Sequence, residues 1–346
     1  MTSHDTRNAG LSRREALKVA GLGAAGLAVG GLPLGALGSS CVASVGPPAG
    51  GRELVARIGH LSDTHVQPER RAAEGLEACL AHVQARKDKV DLIITGGDSI
   101  MDCFEQNEAR TTLQWDIWQK AWKHGNSLPV HSVVGNHDVW GWNKGDSRCT
   151  GQELRYGKKW ACEMFGRERS FTSFDVPSRS PGSAAKWHVV LLDSIAHDPN
   201  DPHGYIGELG DEQTDWLKSD LAALDRATPV MIVSHIPILS ATVLLGEPNK
   251  AHVREVGSGV IHADSTKLRD LFAQHSSIKC CLSGHMHRID RVDFRGVSYL
   301  CNGAVSGNWW KGAHYECNEG YAVMELYSDG SFDAAYETYG WKAERA

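Results

Sequence analysis

The chain reads as an α/β protein, an α-β-β-α sandwich of two packed mixed sheets flanked by helices. Three observations predict this. From Ala56 onward, short apolar runs of strand length alternate with amphipathic stretches of helical period. The runs are continuous and rich in β-branched residues, as in VDLIIT at 90–95, the pattern of strands buried on both faces under covering helices. Most of the polar blocks that hold glycines or ligand-type side chains directly follow such runs. They therefore sit at the carboxyl ends of strands, where open α/β sheets bind ligands.

The elements follow in order. Residues 56–62 form a short apolar strand ending at Asp63, and 71–86 an amphipathic helix. Residues 90–95 are a buried strand that stops at Gly96-Gly97-Asp98. The helix predicted over 108–123 carries Trp115, Trp118 and Trp122 at i, i+3 and i+7, a stripe of core packing rather than a ligand platform. A strand at 130–134 delivers Gly135-Asn136-His137-Asp138. Residues 139–169 break the rhythm. With Trp140, Gly141, Trp142, Gly145 and a helix expected at 152–165, they read as an insertion near the site. Strands follow at 170–176 and 187–192, then a helix at 211–224, then a strand at 230–234 that delivers His235. After a long loop at 236–263 come a helix at 265–274 and a strand at 278–283 leading into Gly284-His285-Met286-His287. Strands near 289–294 and 297–301 precede a terminal hairpin, 321–327 with 331–338, turning at Asp329-Gly330.

With 346 residues, 41% of them hydrophobic and 23% charged, the chain can bury a sizeable core. A net charge of −6 argues against a nucleic-acid binder, which would present a basic face. Residues 1–40 read as a signal peptide. Ser12-Arg13-Arg14-Glu15-Ala16-Leu17-Lys18 resembles the twin-arginine pattern, with Ala16 where a bulky apolar residue is commoner. An uncharged, Gly/Ala-rich stretch interrupted by Pro33 follows, a poor membrane anchor. The expectation is export by the twin-arginine machinery to a periplasmic or secreted location. Membrane attachment would come only through an uncleaved signal or a lipidated Cys41, and Gly38 stands where a lipidation signal usually has leucine. Residues 41–52, with Gly46-Pro47-Pro48-Ala49-Gly50-Gly51, are a linker, and 53–346 the folded domain. Folding in a reducing cytoplasm before export argues against a disulfide-dependent fold, although the nine cysteines include Cys149 and Cys162, which flank the insertion and are candidates for pairing afterwards. Cys280, Cys281 and Cys301 read as small core residues.

The chemistry lies in five blocks. Asp63 and His65, two apart in an extended segment, leave the backbone on one face and can hold one cation together. Asp98 follows two glycines that permit a sharp turn, and its two oxygens can bridge two cations. Asn136 offers a neutral amide oxygen. His137 can face a substrate while Asp138 holds its other nitrogen. His235 is uninformative alone, and His285 and His287 place two imidazoles at a strand end. Mixed oxygen and nitrogen donors suit manganese, iron or zinc, and not calcium alone. Metal loading in the cytoplasm would favour iron or manganese.

Taken together, the order D-x-H, G-D, G-N-H-D, lone H, G-H-x-H resembles the calcineurin-like metallophosphoesterase family, from Gly59 to about Arg288. The resemblance implies a binuclear-metal hydrolase that cleaves phosphoester bonds by attack of a metal-bridging hydroxide. Asp63, His65 and His287 would bind one ion, Asn136, His235 and His285 the other, and Asp98 both. His137 would contact the phosphate and protonate the leaving oxygen. The two ions would be divalent or mixed-valence. Asp98 is followed by Ser99-Ile100-Met101-Asp102, without the tyrosine of purple acid phosphatases, which argues against an iron–tyrosinate site. The spacing is closer to bacterial phosphodiesterases acting on cyclic nucleotides or glycerophosphodiesters. A phosphomonoesterase of the same fold is the alternative, and a non-catalytic metal-binding scaffold the alternative of another class. Trp140, Trp309 and Trp310 are candidates for stacking on the substrate, against the ordinary expectation that loop tryptophans are buried.

Overall fold

The computed structural model describes residues 52–344. The predicted signal peptide, Cys41 and all of the linker except Arg52 lie outside the described residues. The chain runs β1 (Leu54–Leu61), α1 (Ala72–Ala85), β2 (Leu92–Thr95), α2 (Glu108–Gly125) and β3 (Val130–Ser132), then two short helices, α3 (Lys144–Ser147) and α4 (Lys159–Met164). It continues through β4 (Thr172–Pro177), β5 (Lys186–Leu191), β6 (Ile195–His197), β7 (Tyr205–Gly207), α5 (Gly210–Ala223) and β8 (Val230–Val233). The last elements are α6 (Ser265–Phe272), β9 (Ile278–Ser283), β10 (Asp290–Phe294), β11 (Val297–Cys301), β12 (Gly320–Tyr327) and β13 (Phe332–Thr338).

Two mixed sheets result, in the orders β13-β12-β1-β2-β3 and β10-β11-β9-β8-β5-β4. β1, β2 and β3 run parallel, as do β5, β8, β9 and β11, while antiparallel strands close every edge except the one formed by β3. Side-chain alternation sorts each strand between two cores even where every residue is buried. In β2, Ile94 faces the other sheet and Ile93 the helices. In β8, Met231 and Val233 join the inter-sheet core, and Val230 and Ile232 pack under α5 and α6. The predicted helix-sheet-sheet-helix layering follows directly.

Helix α2 is capped by the Asn107 side chain, which accepts from the Arg110 amide at 3.0 Å, and it ends on Lys123 and His124. Its three tryptophans are buried in the core, as the periodicity predicts. Cys280, Cys281 and Cys301 are buried as expected. Cys149 and Cys162 are both buried free thiols, so the pairing considered for them is absent from the structure. Among the described residues no helix is long and apolar enough to cross a membrane.

The insertion departs from expectation. Only 159–164 of the predicted 152–165 helix forms. The Glu153 carboxylate instead accepts from the Thr150 and Gly151 amides, closing a turn. Gly157, at φ 72°, bridges back to Trp140 before the helix can start. The β6–β7 hairpin was not anticipated either. Its strands are three residues each, too short for a periodic signal.

Sheet and helix are tied at one point by His188 of β5. Its Nδ1 lies 2.7 Å from Asp175 of β4 and its Nε2 3.0 Å from Asp220 of α5. Burial opposes protonation of this ring, but the two carboxylates outweigh it and raise its pKa above the ordinary histidine value. A raised folded-state pKa stabilises the fold fully below the unfolded value of about 6.5, and the contribution disappears as pH rises through the folded one. His188→Gln is therefore expected to lower the melting temperature more at pH 6 than at pH 9, measured with chelator present at both. An equal loss at the two pH values would show that the ring contributes only neutral hydrogen bonds.

Candidate metal centre

Five strand ends converge beside one edge of the sandwich. β1 leads to Asp63 and His65, β2 to Asp98, β3 to Asn136, β8 to His235, and β9 to His285 and His287. The backbone there is unusual. Asp63, His65, Asp98, His285 and His287 have φ of 56°, 41°, 52°, 68° and 52°. This corrects the expectation that Asp63 and His65 lie in an extended segment. Both are left-handed, and the loop is held by the Asp63 amide donating to the Gly97 carbonyl (3.0 Å) and the His65 amide to the Asp98 carbonyl (2.9 Å). Such conformations cost non-glycine residues roughly 1–3 kcal/mol each and persist only where surrounding structure enforces them. Two glycines make room for the crowding. A Cβ on Gly135 would overlap Asp98, and one on Gly284 would overlap Ser62 and Asp63.

The side chains form two clusters joined at Asp98. In the first, His65 Nε2 and His287 Nε2 are 3.0 Å apart, and Asp63 Oδ1 lies 3.3 Å from His287 Nε2 and 3.9 Å from His65 Nε2. In the second, His235 Nε2 is 3.0 Å from Asn136 Oδ1 and 3.2 Å from His285 Nδ1. Asp98 Oδ2 lies 3.5 Å from His65 Nε2 and 3.3 Å from His235 Nε2, touching both. Two imidazole nitrogens that approach this closely with a carboxylate beside them are aimed at a common point. Donors bound at about 2.0–2.2 Å to one cation stand about 3–3.5 Å from one another, so the spacing fits a metal. All seven predicted donors are brought together. Backbone partners orient the rings: His235 Nδ1 donates to the Gly96 carbonyl at 2.8 Å, and His287 Nδ1 to the Gly307 carbonyl.

The electrostatics agree. Burial would raise Asp63 and Asp98, but the imidazoles around them prevail and hold both carboxylates well below their usual range. Burial likewise opposes charge on His235, yet Asp98 outweighs it and pushes this ring up to about 9. Burial and the neighbouring His235 push His285 down to about 3, and burial keeps His65 neutral. A buried cluster with two firmly ionised carboxylates, beside which the His65 and His285 rings are held neutral, is one built to receive cations.

His137 lies at the rim, its ring 4.8 Å from that of His65 and edge-on to it, and its amide donates to Asp98 Oδ1 at 2.9 Å. Asp138 does not orient it, contrary to expectation. The Asp138 carboxylate turns inward and accepts from the Ser99 (2.8 Å) and Gly135 (2.9 Å) amides, pinning the loops after β2 and β3 together. Burial and the nearby Asp98 raise its pKa to about 7. The carboxylate facing His137 is Asp102, with Oδ1 3.9 Å from Nδ1.

Of the three tryptophans considered for stacking, Trp309 alone is in place, with ring centroids 4.6 Å from His287 and 5.9 Å from His65. Trp140 and Trp310 are 2% and 1% exposed and have no face for a substrate. Trp140 packs edge-on against Trp160 and donates to the Gln106 carbonyl. Trp310 packs on Gly75 of α1, and its indole N–H lies 3.1 Å from the Thr64 carbonyl and 3.0 Å from that of His65. It is a pedestal under the first ligand loop. His314, with its ring centroid 5.7 Å from both His287 and Trp309, completes this wall, and no motif in the sequence marks it.

A profile described as calcineurin-like phosphoesterase matches residues 56–288, which include every donor named above. The chain belongs to the calcineurin-like phosphoesterase family. Members use divalent metals, and this chain is a metal-dependent phosphoric ester hydrolase. Among similar proteins, a probable cyclic nucleotide phosphodiesterase of Psychrobacter is 22% identical over 75% of this chain and 66% of its own length. A 3′,5′-cyclic adenosine monophosphate phosphodiesterase of Escherichia coli is 22% identical over 81% of this chain and 88% of its own. The chain thus spans about two thirds of the first relative and most of the second. Among solved structures, a dimetal phosphatase from Danio rerio superposes with a TM-score of 0.55 at 16% identity, covering 83% of this chain and all of that one. GAP50 of Plasmodium, described as the anchor in the inner membrane complex, superposes at 0.53 and 15% identity over 83% of this chain and 86% of its own. These last two matches establish the fold alone.

Trp310→Phe removes the indole donor to the loop of Asp63 and His65 and keeps the packing. Metal affinity, titrated on chelator-stripped protein, is expected to fall about 10–100-fold while the circular dichroism spectrum is unchanged. Unaltered affinity would mean that the pedestal does not orient the ligands.

Proposed function

We propose that this phosphoesterase is a phosphodiesterase acting on a small diester of the cyclic nucleotide or glycerophosphodiester type. The observation that carries the reading is a cavity beginning at Asn136 and His137, large enough for a second ester group beyond the phosphate. The names of the two relatives support it.

Asp63, His65 and His287 would hold one ion, Asn136, His235 and His285 the other, and Asp98 both. Manganese, iron or zinc suits this donor set. When bound, such ions neutralise phosphoryl charge and acidify water. The protein supplies the remainder. Asp98 fixes the rim through the His137 amide, so the acid stands at a set distance from the ligands. His137 donates a proton to the departing alkoxide, with the Asp102 carboxylate 3.9 Å from its Nδ1. The wall of Trp309 and His314 excludes water from the face over His287 and His65.

On one metal-replete preparation, bis(p-nitrophenyl) phosphate is expected to have a kcat/KM at least tenfold above that of p-nitrophenyl phosphate, and chelator should abolish both. The reverse order would make the protein a monoesterase, and no turnover of either would favour a scaffold. His137→Ala is expected to lower kcat on an alkyl diester by about 10²–10⁴-fold, and much less on the p-nitrophenyl ester, whose leaving group needs little protonation. Equal losses on both would remove His137 from the role of acid.

A further inference from the structure

The loop between β11 and β12 backs one metal cluster and not the other. Its Val305 amide donates to the Ser62 carbonyl at 2.9 Å, and the Ser306 amide and hydroxyl donate to the Asp63 carbonyl at 3.2 Å and 2.7 Å. The Trp310 indole N–H reaches the Thr64 and His65 carbonyls, and the Gly307 carbonyl accepts from His287 Nδ1. The Trp309 ring lies against His287 and His65. Each of these partners belongs to, or adjoins, the cluster of Asp63, His65 and His287. Among the described residues, 305–310 form no hydrogen bond with Asn136, His235 or His285, whose partners lie elsewhere.

This loop is in turn backed by the segment that follows β13. The Tyr339 hydroxyl donates to the Val305 carbonyl at 2.6 Å. Trp341 meets the Trp310 ring edge-on, with centroids 5.9 Å apart. Both side chains pack against the core cluster that contains Val305 and Trp310. Arg71, at the start of α1, covers Trp341 from the other side. Its guanidinium carbon stands 5.0 Å from the centre of the indole, and its Nε lies 3.7 Å from the Glu344 carboxylate. The Trp341 indole N–H has no hydrogen-bond partner among the described residues, so packing and the cation–π stack hold the ring.

Two contacts therefore support one loop from behind. One fixes the carbonyl of Val305, whose own amide anchors Ser62. The other fixes the indole that holds the Thr64 and His65 carbonyls. Left-handed ligands such as Asp63, His65 and His287 keep their geometry only while their surroundings enforce it, and partners that orient ligands tune metal affinity. We propose that Tyr339 and Trp341 are positioning residues for the ion held by Asp63, His65 and His287. They set the affinity of that ion through Val305 and Trp310 and leave the other ion unaffected. The assignment rests on the division of the donors between two ions and is independent of which phosphoester is cleaved.

The test is a titration of chelator-stripped protein with cobalt(II), followed by calorimetry and by the visible spectrum. The wild-type protein is expected to bind two equivalents. In Trp341→Ala and in Tyr339→Phe, affinity for one equivalent should fall at least about fivefold and for the other less than about twofold. Trp341→Phe, which keeps an aromatic ring and forfeits no hydrogen bond, should recover most of the loss. His188→Gln, which loosens the fold where β4, β5 and α5 meet, should change neither affinity and so separates positioning from stability. In a His287→Ala background, where the first ion has lost a donor, Trp341→Ala should not weaken the ion that remains. Equal losses at both equivalents, no loss at either, or a loss that persists beside His287→Ala would overturn the assignment. A wild-type protein that binds a single equivalent would overturn the division of the donors as well.

Discussion

Everything at this site is arranged around the burial of Asp98. Its carboxylate is nearly inaccessible, lies within 3.5 Å of His65 and His235 nitrogens, and takes the His137 amide on its other oxygen. A carboxylate in such surroundings is costly unless cations or donors answer it. Part of the answer is local, because Asp98 raises the proton affinity of His235. The site remains short of positive charge even so, with Asp63 equally buried and equally ionised. Two cations shared through Asp98 would resolve both deficits, and would be released only at the expense of restoring them.

The same crowding explains the backbone. Five of the seven donors are left-handed, and two glycines stand where a Cβ would strike a ligand carboxylate. Strain of this kind survives when structure outside the loop enforces it. Here the enforcement comes from several directions. Trp310 holds the loop of Asp63 and His65 from below through two carbonyls, Asp138 clips the loops after β2 and β3 through two amides, and the His285 amide lies 3.1 Å from the Asp63 carboxylate. Asp138 and Trp310 are thus part of the site without facing it, so neither has the role expected of it: Asp138 beside His137 does not orient that ring, and Trp310 beside Trp309 has no face for a substrate.

The layered fold was legible because buried strands and amphipathic helices carry strong periodic signals. Asp98, Asn136, His285 and His287 were legible because they follow glycines at strand ends, Asp63 and His65 as a spaced pair, and His235 only through the order of the blocks. What failed had a common physical cause. Roles that depend on which way a side chain turns after a left-handed residue cannot be read from an alternation rule, so Asp63 and His65 were assigned the right partnership on the wrong backbone. Asp138 and Asp102 are both acids within reach of the His137 loops, and only the packing shows that the first turns in and the second out. The β6–β7 hairpin is short, and His314 belongs to no motif, so the walls of the site were invisible while its centre was plain.

That division has a functional meaning. A fold hosts many unrelated functions, so the layers by themselves carry no commitment to catalysis. The ligand blocks commit the chain to metal and phosphoester chemistry. The cavity beside the ligands is lined by segments outside the repeating βα units, and on the proposed reading these would select among phosphoesters: the insertion that supplies Trp142, the β6–β7 hairpin that supplies Tyr205, and the 101–105 loop. These are surface loops on a rigid scaffold, free to change without disturbing either sheet. His137 joins the two systems, since its amide is fixed by Asp98 and its ring opens on the cavity. A substrate alcohol seated among Phe104, Trp142 and Tyr205 would meet the acid already oriented by the metal ligands. The geometry that holds the ions therefore also determines where the ester bond must lie.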